Sequence, residues 1–256
     1  MNTYQKEIAR FYDIIVHGQK EAEAGESELE FVEWAFQNVC SRKVNQILDV
    51  GCGNGRFLIP LVRKGYTVTG LDINQYMLEE CSKRLKKQKL QADLIQKDLE
   101  TMDFDSEYDA LLCMDSVICY FLESERIINV LRTFRRALNP QGILIVENWN
   151  MPAHRELCEE AHVHRYTDED IEIKWQEHDW YETFTSIFHI EVKGTILEKG
   201  EICTFHHEEI LRAMTVGEMN MYLKEAGFIE CSAYPSYDLS EAANVNGDSM
   251  IFLSAG

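Results

Sequence analysis

Residues 47–55 read Ile-Leu-Asp-Val-Gly-Cys-Gly-Asn-Gly, and an acid, Asp72, closes the next apolar run. Gly51, Gly53 and Gly55 place three residues without a Cβ in one loop, which can turn tightly and bring its backbone against a ligand. Asp49 stands just ahead of that loop. A carboxylate at Asp72 can accept two hydrogen bonds from a ribose diol. For these groups to act together, the loop and both acids must share one edge of a sheet. Ile47–Val50 provides the first strand, a short run of the kind buried in parallel sheets. A helix starting near Arg56 turns its N-terminal N–H groups toward the same place. Tyr66–Leu71 provides the second strand and delivers Asp72.

Two nucleotide cofactors combine a glycine loop with a ribose-binding acid. The dinucleotide fingerprint G-x-G-x-x-G spaces its last glycine one residue further than this loop does. A pyrophosphate is also repelled by a carboxylate as near as Asp49, whereas a sulfonium amino acid with a free ammonium group is attracted. The spacing therefore favours S-adenosylmethionine over NAD. An NAD-dependent oxidoreductase and a glycine-rich turn in an unrelated α/β domain are the alternatives.

The surrounding elements follow from periodicity. Ile8–His17 and Ser27–Val39 read as helices, joined by a Glu-rich connection. Asn74 caps a helix whose apolar face carries Met77, Leu78, Cys81 and Leu85. Leu94–Gln96 and Tyr108–Met114 are the third and fourth strands. Ile127–Leu138 is a helix stopped by Asn139-Pro140-Gln141-Gly142, and Ile143–Glu147 is the fifth strand. Five alternations of strand and helix predict a doubly wound, mostly parallel α/β sheet with its ligand at the carboxyl ends of the strands. The pattern then changes. Glu172–Trp180, much of Thr183–Val192 and Glu201–Leu211 alternate apolar and polar residues, with a turn at Lys199-Gly200. This predicts an antiparallel β insertion folded over the ligand edge as a cap. A helix at Val216–Ala226 ends at Gly227. Phe228–Tyr234 and Ser249–Ser254 complete the sheet as a hairpin. The expected division is a core at 1–150, a cap at 151–212 and a closing segment at 213–256.

Bulk properties exclude several classes. The formal charge of −19 disfavours a nucleic-acid partner, which needs a basic face. No apolar stretch approaches the roughly 20 residues that span a bilayer, and the first ten residues carry no apolar signal segment. Eight scattered cysteines without a C-x-x-C pair suit a reducing cytoplasm. A homodimer is compatible with the sequence.

At this point residues 45–254 resemble the class I S-adenosylmethionine-dependent methyltransferases. The resemblance rests on Leu-Asp-Val-Gly-Cys-Gly-Asn-Gly, Leu-Asp-Ile-Asn, Gln-Lys-Asp-Leu and Ala-Leu-Asn-Pro-Gln-Gly. It implies a Rossmann-like methyltransferase fold of seven strands in the order 3-2-1-4-5-7-6. It implies that Asp49, Gly51, Cys52, Gly53 and Gly55 hold the methionyl part, and that Asp72 holds the ribose. It further implies Ile73 beside the adenine, Asp98 at the adenine amino group, Leu99 offering a backbone N–H, and Met114 with Asp115 at the methyl-transfer site. Phe-Tyr-Asp-Ile-Ile-Val-His-Gly at 11–18 and Val-Glu-Asn-Trp at 146–149 are similar to the aminosugar N,N-dimethyltransferases, which act on nucleotide-linked amino sugars. That group has a histidine in the loop after the fourth strand, where this chain has Tyr120.

Methyl transfer from a sulfonium needs little beyond a positioned nucleophile. An amine needs only to arrive deprotonated, whereas a hydroxyl usually needs a base or metal. Tyr12, Asp115, Ser116, Tyr120, Glu147 and Trp149 are the residues expected near the methyl group. Tyr12 closes the cofactor site or packs its helix face. Asp115 orients an amine or is a solvated loop acid, and Trp149 lines the site or braces the cap. His162, His164 and the adjacent His206 and His207 lack a third ligand at diagnostic spacing, so no metal is expected. The sequence thus points to a small-molecule methyltransferase acting at an amino nitrogen of an aminosugar-like acceptor. An O-methyltransferase and a catalytically silent S-adenosylmethionine-binding module are the alternatives.

Overall fold

Period-two burial on two covered faces accounts for the central sheet. In β1 (Gln46–Val50), β4 (Tyr108–Cys113) and β5 (Leu138–Trp149), Leu48, Val50, Leu111, Leu144 and Val146 pack with residues of α5 (Ser124–Ala137) and α7 (Val216–Glu225). Their neighbours Ile47, Ala110, Leu112, Ile143 and Ile145 pack on the other face with α2 (Glu26–Asn38), α3 (Leu58–Arg63) and α4 (Gln75–Gln88). The computed structural model describes residues 5–154, 161–241 and 247–255.

The sheet is completed by β2 (Thr67–Asp72), β3 (Asp93–Gln96), β10 (Glu230–Tyr234) and β11 (Ser249–Ala255). Its order is β3-β2-β1-β4-β5-β11-β10. Strands β1 to β5 run parallel, and β11 runs antiparallel to both neighbours. Counting core strands alone, this is the 3-2-1-4-5-7-6 order implied by the resemblance. The strand order reverses between β1 and β4, so the loops after these two strands part there and leave a crevice.

The element following β5 is α6 (Met151–His154), and a second sheet comes next. β6 (His162–Thr167), β7 (Ile171–Glu182), β8 (Ile187–Glu198) and β9 (Glu201–Arg212) form an antiparallel meander in chain order. Lys199 (φ +51°) and Gly200 (φ +87°) make the two-residue turn that the twist of a hairpin favours.

Three boundaries differ from expectation. The helix after the glycine loop starts at Leu58 and has six residues, because the left-handed glycines keep 51–57 in turns. Asn139–Gly142 does end α5, but as an irregularity inside β5: its pairing with β4 jumps from Tyr108 and Leu138 to Ala110 and Ile143, with Gln141 at φ +65°. Thr183–Ser186 form a turn, and the strand that follows runs on to Glu198.

Helix α1 (Lys6–His17) joins the two sheets. Ile8, Phe11, Ile14 and Ile15 bury against Ile173, Trp175, Val192, Ile196 and Phe205 of the cap. Arg10 forks onto both carboxylate oxygens of Glu198, at 2.7 and 2.6 Å. From the same helix, buried Asp13 accepts from Asn54 Nδ2 at 2.7 Å and from Arg84 Nη1 at 3.0 Å. Arg84 Nη2 donates to the Ala22 carbonyl at 2.7 Å. One carboxylate therefore fastens the cap-bearing helix to the glycine loop and to α4. Among the described residues no helix is long and apolar enough to cross a membrane.

This link yields a stability prediction. Asp13→Ala leaves the Arg84 guanidinium buried without its carboxylate, which costs about 3–5 kcal/mol. Urea denaturation monitored by circular dichroism measures it. A loss under about 1 kcal/mol, the value of an exposed pair, would show that α1 is held by its apolar face alone.

Candidate functional site

The glycine loop is fixed from β2. Gly51 and Cys52 N–H both donate to the Leu71 carbonyl, at 2.7 and 3.1 Å. Gly53 N–H donates to Asp72 Oδ2 at 2.8 Å, and Asn74 N–H to Asp72 Oδ1 at 2.8 Å. Asn74 in turn caps α4, its Oδ1 accepting from Tyr76 and Met77 N–H. With Ile73 N–H also directed at it, the carboxylate keeps acceptor capacity for a ligand. Gly51 has φ +67°, and a Cβ there would lie 2.5 Å from Val117 Cγ2. Gly55 answers to packing, since its Cβ would fall 2.7 Å from Cys81 Sγ.

Two recesses, of about 180 and 270 Å³, share Tyr12 and Asp115 as wall residues. The first is walled by Gly51, Cys52, Gly53, Asp72 and Ile73 on one strand pair. Asp98, Leu99 and Tyr120 contribute from the loops after β3 and β4. The second lies between α1, the end of β5 and the cap, and holds Glu147, Trp149 and Ser116. The expected site residues are thereby brought to one sheet edge, with three exceptions among the walls. Asp49 is buried under the loop at 3% exposure, Gly55 faces α3 and α4, and Met114 belongs to the core. Tyr120, standing where the similar group has a histidine, faces the first recess and not the second. Trp149 meets Phe188 edge-on at 5.1 Å, so it both walls the recess and braces the cap.

Carboxyl groups gather at and beneath the junction of the recesses. Asp49 accepts from Leu58 N–H, but its Oδ2 is buried with no partner among the described residues. Burial, then the nearby Asp115 and Asp72 carboxylates, push Asp49 up to about 8. Burial and Asp115 push Glu147 up to about 7, although Asp115 N–H donates to its Oε2 at 2.9 Å. Asp115 itself is raised by burial, against the pull of Arg56 Nη1 at 3.4 Å. Its side chain is 41% accessible, but that surface opens on the two recesses, so desolvation outweighs what accessibility alone suggests. Asp115 (φ +51°) and Ser116 (φ +60°) are consecutive left-handed residues, each costing about 1–2 kcal/mol. Bonds to β5 hold them there: Ser116 N–H to the Glu147 carbonyl at 3.1 Å, and Trp149 N–H to Ser116 Oγ at 2.8 Å.

An orphaned buried carboxylate oxygen, a loop with no room for a side chain and Asp72 across from it fit a ligand carrying a ribose diol and a cationic amino-acid part. The histidines divide between the faces of the cap. Buried His207 lines the second recess, while exposed His206 brings its ring nitrogen within 4.8 Å of ligand atoms of Glu191 and Glu208 on a different face. None of those three lines either recess.

Several wall residues escaped the sequence reading. Arg56 reaches Glu28 at 2.6 Å and Asp115. His17 has a buried Nε2 without a partner among the described residues, and burial lowers its pKa. Both Asp13 and His17 lie in the 11–18 stretch that carries the narrower resemblance, which was the available signal.

Comparisons with known proteins bear on the family and the fold. Residues 47–142 match the family described as a methyltransferase domain. A Geobacillus sp. protein assigned as a methyltransferase is 24% identical over 77% of this chain and 79% of its own. A ubiquinone biosynthesis O-methyltransferase of Rickettsia akari is 29% identical, over 41% of this chain and 40% of its own. Among solved structures, an S-adenosylmethionine-dependent methyltransferase from Clostridium acetobutylicum superposes with a TM-score of 0.79 at 17% identity, covering 97% of each chain. The sugar N-methyltransferase KedS8 from Streptoalloteichus sp. superposes at 0.77 and 18% identity, covering 95% of this chain and 92% of its own.

The raised carboxyls make a pH prediction for the protein without ligand. An acid whose folded pKa lies above its unfolded value stabilises the fold most below the unfolded pKa, and that contribution is lost as pH rises through the folded one. Asp49 therefore costs stability between about pH 4 and 8. Asp49→Asn flattens the fall in Tm over that window in scanning calorimetry. An unchanged slope would mean that Asp49 is not held protonated.

Proposed function

We propose that this S-adenosylmethionine-dependent methyltransferase transfers its methyl group to an amine nitrogen of a small molecule. The methyltransferase assignment rests on the domain at 47–142, the fold and the relatives. The amine reading is carried by one observation: the Asp115–Glu147 pair stands where the two recesses meet, with no lysine or arginine among the described walls of the second.

In this reading Asp49 and the loop residues Gly51, Cys52 and Gly53 hold the cationic methionyl part, with Gly55 keeping the loop seated on α3 and α4. Asp72 takes the ribose diol, Ile73 lies against the adenine, and Asp98 and Leu99 address its edge. Met114 supports the loop bearing Asp115 from the core. When bound, the cofactor supplies a methyl on an already activated leaving group. Asp115 orients the acceptor N–H, and Tyr12, Tyr120 and Trp149 exclude water around the nitrogen. Glu147, poised at about 7, takes the proton that frees its lone pair. The likeness to a sugar N-methyltransferase supports an aminosugar-sized acceptor. A hydroxyl acceptor, with Glu147 as base, is the second reading, favoured by the O-methyltransferase relatives. The free thiols of the described cysteines support a cytoplasmic setting, and the net charge of −19 speaks against nucleic acid as substrate. A homodimer is compatible with the reading.

Two measurements test it. In calorimetry, Asp72→Ala weakens S-adenosylmethionine binding by about 1–3 kcal/mol through unpaired ribose hydroxyls; unaltered affinity removes Asp72 from the site. In an assay of S-adenosylhomocysteine release, amines are turned over and matched alcohols are not. Glu147→Gln lowers kcat about 10²-fold near neutrality, and the deficit shrinks at alkaline pH where the amine deprotonates itself. Turnover of alcohols alone would give the site to O-methylation, and silence toward both would leave a binding module.

A further inference from the structure

We infer that Arg56 is shared between the two recesses: it leans on Asp115 in this structure, and the carboxylate of the cofactor's amino-acid part competes for the same guanidinium, so that seating the cofactor releases Asp115 toward the acceptor. The inference rests on the cofactor placement and on the role given to Asp115 in the reading above. Arg56 directly follows the glycine loop. Its Nη2 donates to Glu28 Oε1 at 2.6 Å. Glu28 is itself fixed at the start of α2, its Oε2 accepting from Gly25 N–H at 2.6 Å. The guanidinium also lies over the Phe57 ring, 4.8 Å from its centre. One arm is thus anchored, and the other is not. Nη1 stands 3.4 Å from Asp115 Oδ1, longer than a good N–H···O bond, and is buried with no hydrogen-bond partner among the described residues. A buried donor left in this way is costly, so the arm has a place for an acceptor. Burial raises Asp115, and Arg56, ahead of His17, is the charge that pulls it back.

Asp115 stands in both recesses, Arg56 in the first only. The amino-acid part placed on Gly51, Cys52 and Gly53 is a zwitterion. Asp49 answers its ammonium, and its carboxylate calls for a cation. Lys97 and Arg126 of that recess stand with Asp98 and Leu99 at the adenine end. There Lys97 is paired with Asp103, and Arg126 forks onto Glu100 at 2.9 and 2.6 Å. Arg56 is the cation beside the loop, and a guanidinium matches a carboxylate in plane and charge. Asp115 and the cofactor's carboxylate therefore compete for Nη1. Such competition is reciprocal. By whatever factor Asp115 weakens the hold on the carboxylate, the bound carboxylate weakens the hold of Arg56 on Asp115. The acid that orients the acceptor N–H is then freed as the cofactor is seated.

Calorimetry with three ligands tests this without any acceptor. They are S-adenosylhomocysteine, its decarboxylated form, which keeps the ammonium, and methylthioadenosine, which has neither group. The Kd of the decarboxylated ligand divided by that of S-adenosylhomocysteine isolates the carboxylate. The inference expects a ratio of at least about ten in the unaltered protein, near one in Arg56→Gln and partly restored in Arg56→Lys. Methylthioadenosine binding should stay unmoved throughout. Asp115→Asn should raise the ratio at least about fivefold above the unaltered value, and in the Arg56→Gln background it should raise nothing. Asparagine keeps the left-handed conformation at 115. A ratio unmoved by Arg56→Gln removes Arg56 from the carboxylate. A ratio unmoved or lowered by Asp115→Asn removes the competition. Either result overturns the inference, and neither touches the amine reading, which the assay of S-adenosylhomocysteine release decides. Failure of all three ligands to bind the unaltered protein sinks the cofactor placement as well. Because Asp115→Asn is compared with the unaltered protein, loss of fold in the Arg56 variants leaves that comparison decisive.

Discussion

The site depends on the grip of Asp72 on the glycine loop. One carboxylate oxygen holds Gly53 N–H, the other holds the entry to α4. That grip requires the β1–β2 register in which Asp49 faces Gly70 and Val50 faces Leu71. The register itself requires Gly70 to lack a side chain, since a Cβ there would stand 2.5 Å from Leu58 Cδ1 and 2.8 Å from Cys52 Sγ. Loop shape, strand pairing and the anchoring acid are one coupled constraint. A ligand bound by this loop is bound by the geometry of the whole parallel sheet.

Around that frame the protein concentrates carboxylates that it does not fully neutralise. Asp49, Asp115 and Glu147 are all raised by burial, and Asp115 raises the other two further. Two consecutive left-handed residues are held at the same place by bonds to β5. Both features cost stability, and both lie at or beneath the junction of the recesses. A cationic cofactor and a cationic acceptor would offset the electrostatic part. Backbone strain at Asp115-Ser116 and raised carboxyls thus lie close together at the reacting end.

The parts of the fold that were legible in the sequence are those fixed by local constraint. The glycine loop, the Asn74 cap, the Lys199-Gly200 turn and the apolar runs of β1, β4 and β5 each carry their own cue in neighbouring residues. What was not legible depends on distant pairing. The bond between Asp13 and Arg84 joins residues 71 apart. The alignment of Glu177 with His207, and of Asp179 with Glu209, exists only once three cap strands take their register. The left-handed turn at Asp115-Ser116 has no glycine to announce it. Strand parity likewise sends Met114 to the core and lets Val117, two residues beyond Asp115, meet the loop at Gly51.

The account is tested most directly by a crystal structure of the protein with S-adenosylhomocysteine. It predicts the ribose hydroxyls on Asp72, the amino group near Asp49, and the thioether sulfur at the Tyr12–Asp115 junction, directed into the recess that holds Glu147. A nucleoside bound elsewhere, or a sulfur directed away from that recess, would contradict it.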